Sequence, residues 1–275
     1  MKRWGVALGG GGVAGVSAAL GFLEALQGFG LTPDVVVGSS SGGLVAGALG
    51  AGVSVAEQMV RWRGVVHDPY VLLPRLALHL VEALRPSPTP GLITIAEPVA
   101  VVLHAMPGRV DRVSGWTPGY GAMLTDLTAG ETILLHEGSP AAAAWPTPDA
   151  LVGTAAYPGL IAGVRHRGHL YCDGGLFDLV PVAACRQLGA EVVIGVRVGA
   201  PVGPGDSLSI AQLMHAVTEQ AIDRLSAATN PQPADLGITL ATSGTVLTFS
   251  HWQADEQVGA TAAATALDPI RLAIA

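Results

Sequence analysis

Lysine is almost absent from this sequence. Lys2 is the only one in 275 residues, and the other strong bases are all arginines. Charge of either sign is scarce at 13%, and Asp plus Glu outnumber Lys plus Arg by 21 to 14. The net charge of −7 argues against a nucleic-acid binder, which needs a basic face. Arg165, His166 and Arg167 make a local basic cluster and nothing broader. Cysteine is nearly missing too. Cys172 and Cys185 are too few for a disulfide framework, so a reducing compartment is expected. A long apolar run free of glycine is also lacking. Residues 4 to 23 follow Lys2 and Arg3 in the manner of a secretion signal, and residues 35 to 56 are long enough to span a bilayer. Glycines interrupt both, so each reads better as a strand, a tight turn and a helix. A cytoplasmic protein is expected, meeting a membrane only peripherally.

What the chain does have is apolar bulk. Half of its residues are hydrophobic, mostly small aliphatics, which is enough for a sizeable core. A single domain over residues 1–275 is expected, with 66–118 as a lid or cap insertion. Residues 4–8 are a short apolar run closed by four glycines, as in a buried parallel strand. Val16, Leu20, Leu23 and Leu26 then recur at helical spacing, before Gly28 and Gly30. A strand over 34–37, a glycine turn and a helix over 44–51 repeat the unit. This alternation predicts an α/β fold: a central, mostly parallel sheet sandwiched by helices. Further helices are predicted over 54–66, 92–105, 147–156, 181–188 and 207–228. A hairpin is predicted over 119–136, and strands at 161–166, 169–172, 191–198 and 236–242. The apolar stretch 69–85 reads as a lid, a membrane contact or a core helix.

Gly38-Ser39-Ser40-Ser41-Gly42 fits the pattern G-x-S-x-G, with Ser40 at its centre. A nucleophilic serine must project from a sharp strand-to-helix turn, and Gly38 and Gly42 remove the side chains that would clash there. The helix that follows points its N-terminus, and its partial positive charge, at the site. Upstream, Gly10-Gly11-Gly12-Val13-Ala14-Gly15 has two readings. It matches the dinucleotide fingerprint G-x-G-x-x-G, but the acid that should bind ribose is misplaced: Asp34 starts the second strand instead of ending it. The stronger reading is an oxyanion hole, in which peptide N–H groups of Gly10, Gly11 and Gly12 face the charge of a tetrahedral acyl intermediate. Gly15 suits close helix–strand packing under either.

A serine nucleophile needs a base. Asp173, followed by Gly174 and Gly175, ends a strand-like run, where a carboxylate reaches a neighbouring turn unobstructed. An aspartate is a weak base, so the role asks for burial that strengthens it. A Ser-Asp-His triad is the competing arrangement, and His215 or His251 would have to complete it. His166 and His169 are close enough in sequence to suggest a metal, but no further ligand cluster accompanies them, and a solvated hairpin fits better.

With these three elements in this order, the chain resembles the patatin-like phospholipase family. The likeness spans most of residues 4 to 200. Thr125-Asp126-Leu127, Ala155-Ala156-Tyr157-Pro158-Gly159 and Leu179-Val180-Pro181-Val182 add fainter echoes. The resemblance implies the family's three-layer architecture and a Ser40–Asp173 dyad without histidine. It also implies a glycine-loop oxyanion hole and hydrolysis of phospholipids, lysophospholipids or other acyl esters. No metal or organic cofactor is implied, and the partners implied are a lipid or acyl-ester substrate and transient contact with a membrane surface. A dinucleotide-binding oxidoreductase and a lipid-binding domain without turnover are the alternatives. Many relatives carry Arg or Lys where Ala14 stands, so a phospholipid headgroup would receive less cationic help here.

Overall fold

The computed structural model describes residues 2–67, 87–103, 110–199, 210–229, 233–242 and 250–275. The segment 69–85 lies outside the described residues. So do 104–109, which with 68–86 interrupt the span expected to form a lid or cap.

Strand β1 (Trp4–Leu8) is buried throughout, and its side chains alternate between the two faces of the sheet. Trp4, Val6 and Leu8 enter a large core cluster, while Ala7 enters a smaller one on the opposite face. Strand β2 (Val35–Gly38) divides likewise: Val36 joins the large cluster, Val35 and Val37 the small one. The other strands are β3 (Tyr120–Asp126), β4 (Glu131–Leu135), β5 (Val164–His166), β6 (His169–Asp173), β7 (Val192–Val198) and β8 (Leu236–Leu240). The sheet runs in the order β5-β6-β3-β2-β1-β7-β8, with β4 also paired to β3. From β3 to β8 the neighbours along this path are parallel; β4, β5 and β6 form an antiparallel arm.

The large cluster packs helices α1 (Gly12–Gly28), α2 (Ser41–Gly50), α3 (Val55–His67), α4 (Ala96–Leu103) and α5 (Thr147–Thr154) over one face. On the other face, α6 (Val182–Gln187) contributes Val182 and Cys185 to the small cluster. Two buried faces make the β1 and β2 runs continuously apolar. The expected sandwich is therefore the observed fold. Helix α7 (Ile210–Thr229) also falls where the sequence placed it, to within three residues.

Two helices were not read from the sequence: α8 (Trp252–Thr265) and α9 (Leu267–Ile274). Helix α8 is rich in Ala and shows little apolar periodicity. Smallness, instead, is what packs it. A side chain on Gly21 of α1 would strike the Glu256 carbonyl, and one on Gly259 of α8 would strike the Ala18 carbonyl. The two helices thus meet backbone to backbone. The first two helices also start earlier than predicted, α1 at Gly12 and α2 at Ser41, so the glycine turns are tighter than they read.

Candidate active site

The β2–α2 turn is built around a strained residue. Ser40 has φ 55° and ψ −124°, and a positive φ is uncommon for any residue but glycine. Close packing enforces the turn. A Cβ on Gly38 would collide with the backbone of Gly42, and one on Gly42 with the Leu8 carbonyl of β1. The three serines then separate. Ser39 is buried and its hydroxyl donates to the Asp178 carbonyl at 2.5 Å. Ser41 is buried beside Gly15, where a side chain would meet its hydroxyl. Ser40 alone of the three lines the cleft formed with Gly10, Gly11, Gly12 and Asp173. It stands immediately before α2, whose N-terminal dipole favours negative charge there.

The glycine loop reaches the same cleft from β1. Leu8 and Gly38 are partners in the parallel β1–β2 ladder, so both loops leave the sheet at its C-terminal edge. Gly10 lies against the serine: a Cβ there would sit 2.9 Å from Ser40 Cβ and 3.4 Å from Ser40 Oγ. A Cβ on Gly11 would sit 2.5 Å from Val198 Cγ1. Gly10, Gly11 and Gly12 all line the cleft. Asp34 is at the opposite edge, where its carboxylate accepts the Trp4 N–H at 3.0 Å.

Strand β3 brings Asp173 to Ser40. Residues Tyr120–Ala122 of β3 pair with β2, and Leu124–Asp126 pair with β6. Since β4 occupies the other edge from Ala122 to Asp126, β2 and β6 share one edge of β3. One runs parallel to β3 and the other antiparallel, so their C-terminal ends face each other. Gly38 is opposite Ala122 and Asp173 opposite Leu124, two residues apart, or about 7 Å along the strand. A sequence separation of more than a hundred residues closes in this way.

Asp173 is 3% exposed and lines the cleft with Gly175. Its Oδ1 accepts the Gly175 N–H at 2.8 Å, and its carbonyl accepts the Thr125 hydroxyl at 2.9 Å, which fixes the end of β6. Gly174 has no room for a side chain against the Met123 carbonyl. All five predicted catalytic and oxyanion residues therefore share one cleft; of the supporting glycines, Gly38 ends β2, Gly174 and Gly175 follow β6, and Gly15 and Gly42 lie in the first turns of α1 and α2. The apolar wall was not read as part of the site. Leu179, Ile222 and Tyr157 belong to it, and of these Leu179 and Tyr157 had entered only within the fainter echoes of the family.

Among the described residues no histidine lines the cleft. His251 is exposed at the head of α8. The side chain of His215, on α7, lies outside the described residues. His169 Nδ1 is 2.6 Å from Asp126 Oδ2, and His166 stacks on Trp145 with ring centroids 4.3 Å apart. Burial pushes the Asp126 carboxyl upward, but hydrogen bonds from the Ala129 N–H, His169 and the Thr128 N–H outweigh it and hold the group below its usual range. Burial, and then the Arg167 charge, push the His166 imidazole down. Among the described residues no group of three or more His, Cys, Asp or Glu is placed to hold a metal ion. Cys172 and Cys185 are both free and buried, and burial raises each thiol to about 12, which keeps them unreactive.

A second, apolar cavity adjoins the cleft and shares Gly12, Ala155 and Ile161 with it. Residues of α1, α2, α3, α4 and α8 form its walls. Among the described residues no helix is long and apolar enough to cross a membrane.

Comparison with known proteins gives a consistent result. Residues 6–118 match the description Patatin-like phospholipase. An uncharacterised NTE family protein of Mycobacterium tuberculosis is 30% identical over 203 residues, covering 74% of this chain and 51% of that protein. Lysophospholipase NTE1 of Yarrowia lipolytica is 29% identical over 218 residues, covering 76% of this chain but 14% of that protein. The chain thus spans about half the length of its mycobacterial relative. Among solved structures, VipD from Legionella pneumophila superimposes with a TM-score of 0.51 at 15% identity. That match covers 98% of this chain and 67% of the other, a likeness of fold alone.

Proposed function

We propose, from the premise that this chain is a relative of the patatin-like phospholipases, that it is a lipid ester hydrolase working through Ser40 and Asp173. The observation that carries the reading is the single cleft lined by a strained serine, a buried carboxylate and three consecutive glycines. In this mechanism Ser40 Oγ attacks the ester carbonyl while its proton passes to the Asp173 carboxylate. Peptide N–H groups of Gly10, Gly11 and Gly12 hold the oxyanion, in a site with little competing water. Collapse of the intermediate breaks the ester bond, and the leaving alkoxide takes the proton from Asp173. Water, deprotonated by Asp173, then attacks the acyl-enzyme, and the proton returns to Ser40 as the acid is released. The partner serine hydroxyls serve the turn: Ser39 ties it to Asp178, and Ser41 fills the space that Gly15 leaves.

The substrate class follows from the apolar surroundings. Ala14 is buried at 1% exposure, so the position where many relatives carry a cation offers none to a headgroup. An acyl ester with a small or uncharged alcohol fits this better than a bulky anionic headgroup. Transient contact with a lipid surface belongs to the same reading. Helix α7 turns Ile222 into the cleft wall and leaves Val217 and Leu225 exposed at 56% and 41%. Hydrolysis of p-nitrophenyl esters tests the assignment. Wild type is expected to turn over these esters, with Ser40→Ala and Asp173→Asn inactive though folded. Full activity in Ser40→Ala, or no hydrolysis by wild type together with binding of NAD(P), overturns it.

A further inference from the structure

The cavity beside the cleft is apolar in a way the cleft is not. None of its lining residues is ionisable; apart from Ser41 its walls are aliphatic side chains, glycine and two indoles. It adjoins the cleft at Gly12, Ala155 and Ile161, the residues common to both. Trp62 of α3 and Trp252 of α8 line the cavity but not the cleft, and they are 7% and 2% exposed. They therefore belong to the cavity's own wall, and little of either indole reaches solvent.

We propose that this cavity takes the acyl chain of the substrate, and that Trp62 and Trp252 form its blind wall and set the longest chain accepted. The proposal rests on the acyl-hydrolase reading of the cleft and adds which part of the substrate goes where. A hydrocarbon chain is the one part of an ester that gains from such walls, each methylene buried being worth about fourfold in affinity. The wall is also rigid. Trp252 rides on α8, which contacts α1 backbone to backbone at Gly21 and Gly259 and cannot slide aside without opening that contact. A wall that cannot yield imposes a limit on length, where a soft one would impose only a slope. Trp62 lies within residues 6–118 and Trp252 outside them, so the family match spans only one of the two wall residues.

The test is the chain-length profile of kcat/KM on p-nitrophenyl esters from acetate to palmitate. In Trp252→Ala the longest ester accepted lengthens. In Val66→Trp, which fills the cavity from a half-buried position on α3, it shortens. Acetate hydrolysis stays within about twofold of wild type in both, since the cleft is untouched. An unchanged profile in folded variants that keep acetate hydrolysis overturns the proposal. Equilibrium binding of a fluorescent long-chain fatty acid to Ser40→Ala protein separates this failure from failure of the hydrolase reading. Val66→Trp is expected to weaken that binding about tenfold or more, the loss of two or more buried methylenes. Equal binding with and without Val66→Trp overturns the pocket assignment even if no ester is turned over.

Discussion

The two adjoining cavities are built on different plans. The cleft at Ser40 is made where strands end: beside an apolar wall it presents bare glycine backbone, the Ser40 hydroxyl and the Asp173 carboxylate, held by sheet register. The apolar cavity is made where helices meet, from side chains drawn from five helices across the length of the chain. One is a local device assembled from short motifs. The other is a global product of packing. The chemistry should therefore be fragile to single atoms in the cleft, while selectivity should shift gradually with side-chain volume in the cavity.

The sharpest way to break this division is at the serine. Ser40→Ala is expected to lower ester hydrolysis by about 10⁴-fold or more, with fatty-acid binding in the apolar cavity unchanged. Asp173→Asn should follow, with a loss of roughly 10² to 10⁴-fold in kcat and an unaltered chain-length profile in steady-state kinetics. Gly42→Ala comes next, because its methyl would press on the Leu8 carbonyl of β1. Urea melts should show a loss of about 1–3 kcal/mol, and activity should fall with it, since the turn that presents Ser40 must open.

The converse substitution strikes the helix contact. Gly259→Val pushes α8 from α1 and moves Trp252 with it, for a similar cost of about 1–3 kcal/mol. Here the chain-length profile should change while acetate hydrolysis remains within a few-fold. The smallest effect is expected at Asp126, which lines neither cavity. Its carboxyl is held below the usual value of 3.8, so its contribution to stability is present above that pH and lost as the pH falls through the lower folded-state value. Asp126→Asn should therefore lower the melting temperature modestly at neutral pH, and the gap from wild type should close below about pH 3.8.

The same division explains what was legible in the sequence. Ser40, the glycine loop and Asp173 each stand in a turn whose chemistry is written in adjacent residues, so Gly38, Gly42, Gly174 and Gly175 announce them. The strands β1, β2 and β7 were legible because burial on both faces leaves continuous apolar runs. How Asp173 reaches Ser40 was not legible. That depends on β2 and β6 sharing one edge of β3, a pairing no local pattern encodes. Helix α8 was missed for a related reason: its packing relies on the absence of side chains at Gly259 and Gly21, and smallness leaves no apolar stripe to read. With α8 went Trp252, and with Trp252 the far wall of the apolar cavity.

The central claim is that Ser40, and no other serine, is the activated nucleophile facing Asp173 and the glycine loop. Trapping with a fluorophosphonate, followed by peptide mapping of the adduct, addresses it most directly. The account predicts one adduct, on the peptide containing Ser40, formed by wild type and slowed by orders of magnitude in folded Asp173→Asn. An adduct on Ser39, Ser41 or a serine outside the turn, or labelling that proceeds at wild-type rate without the Asp173 carboxylate, would contradict it.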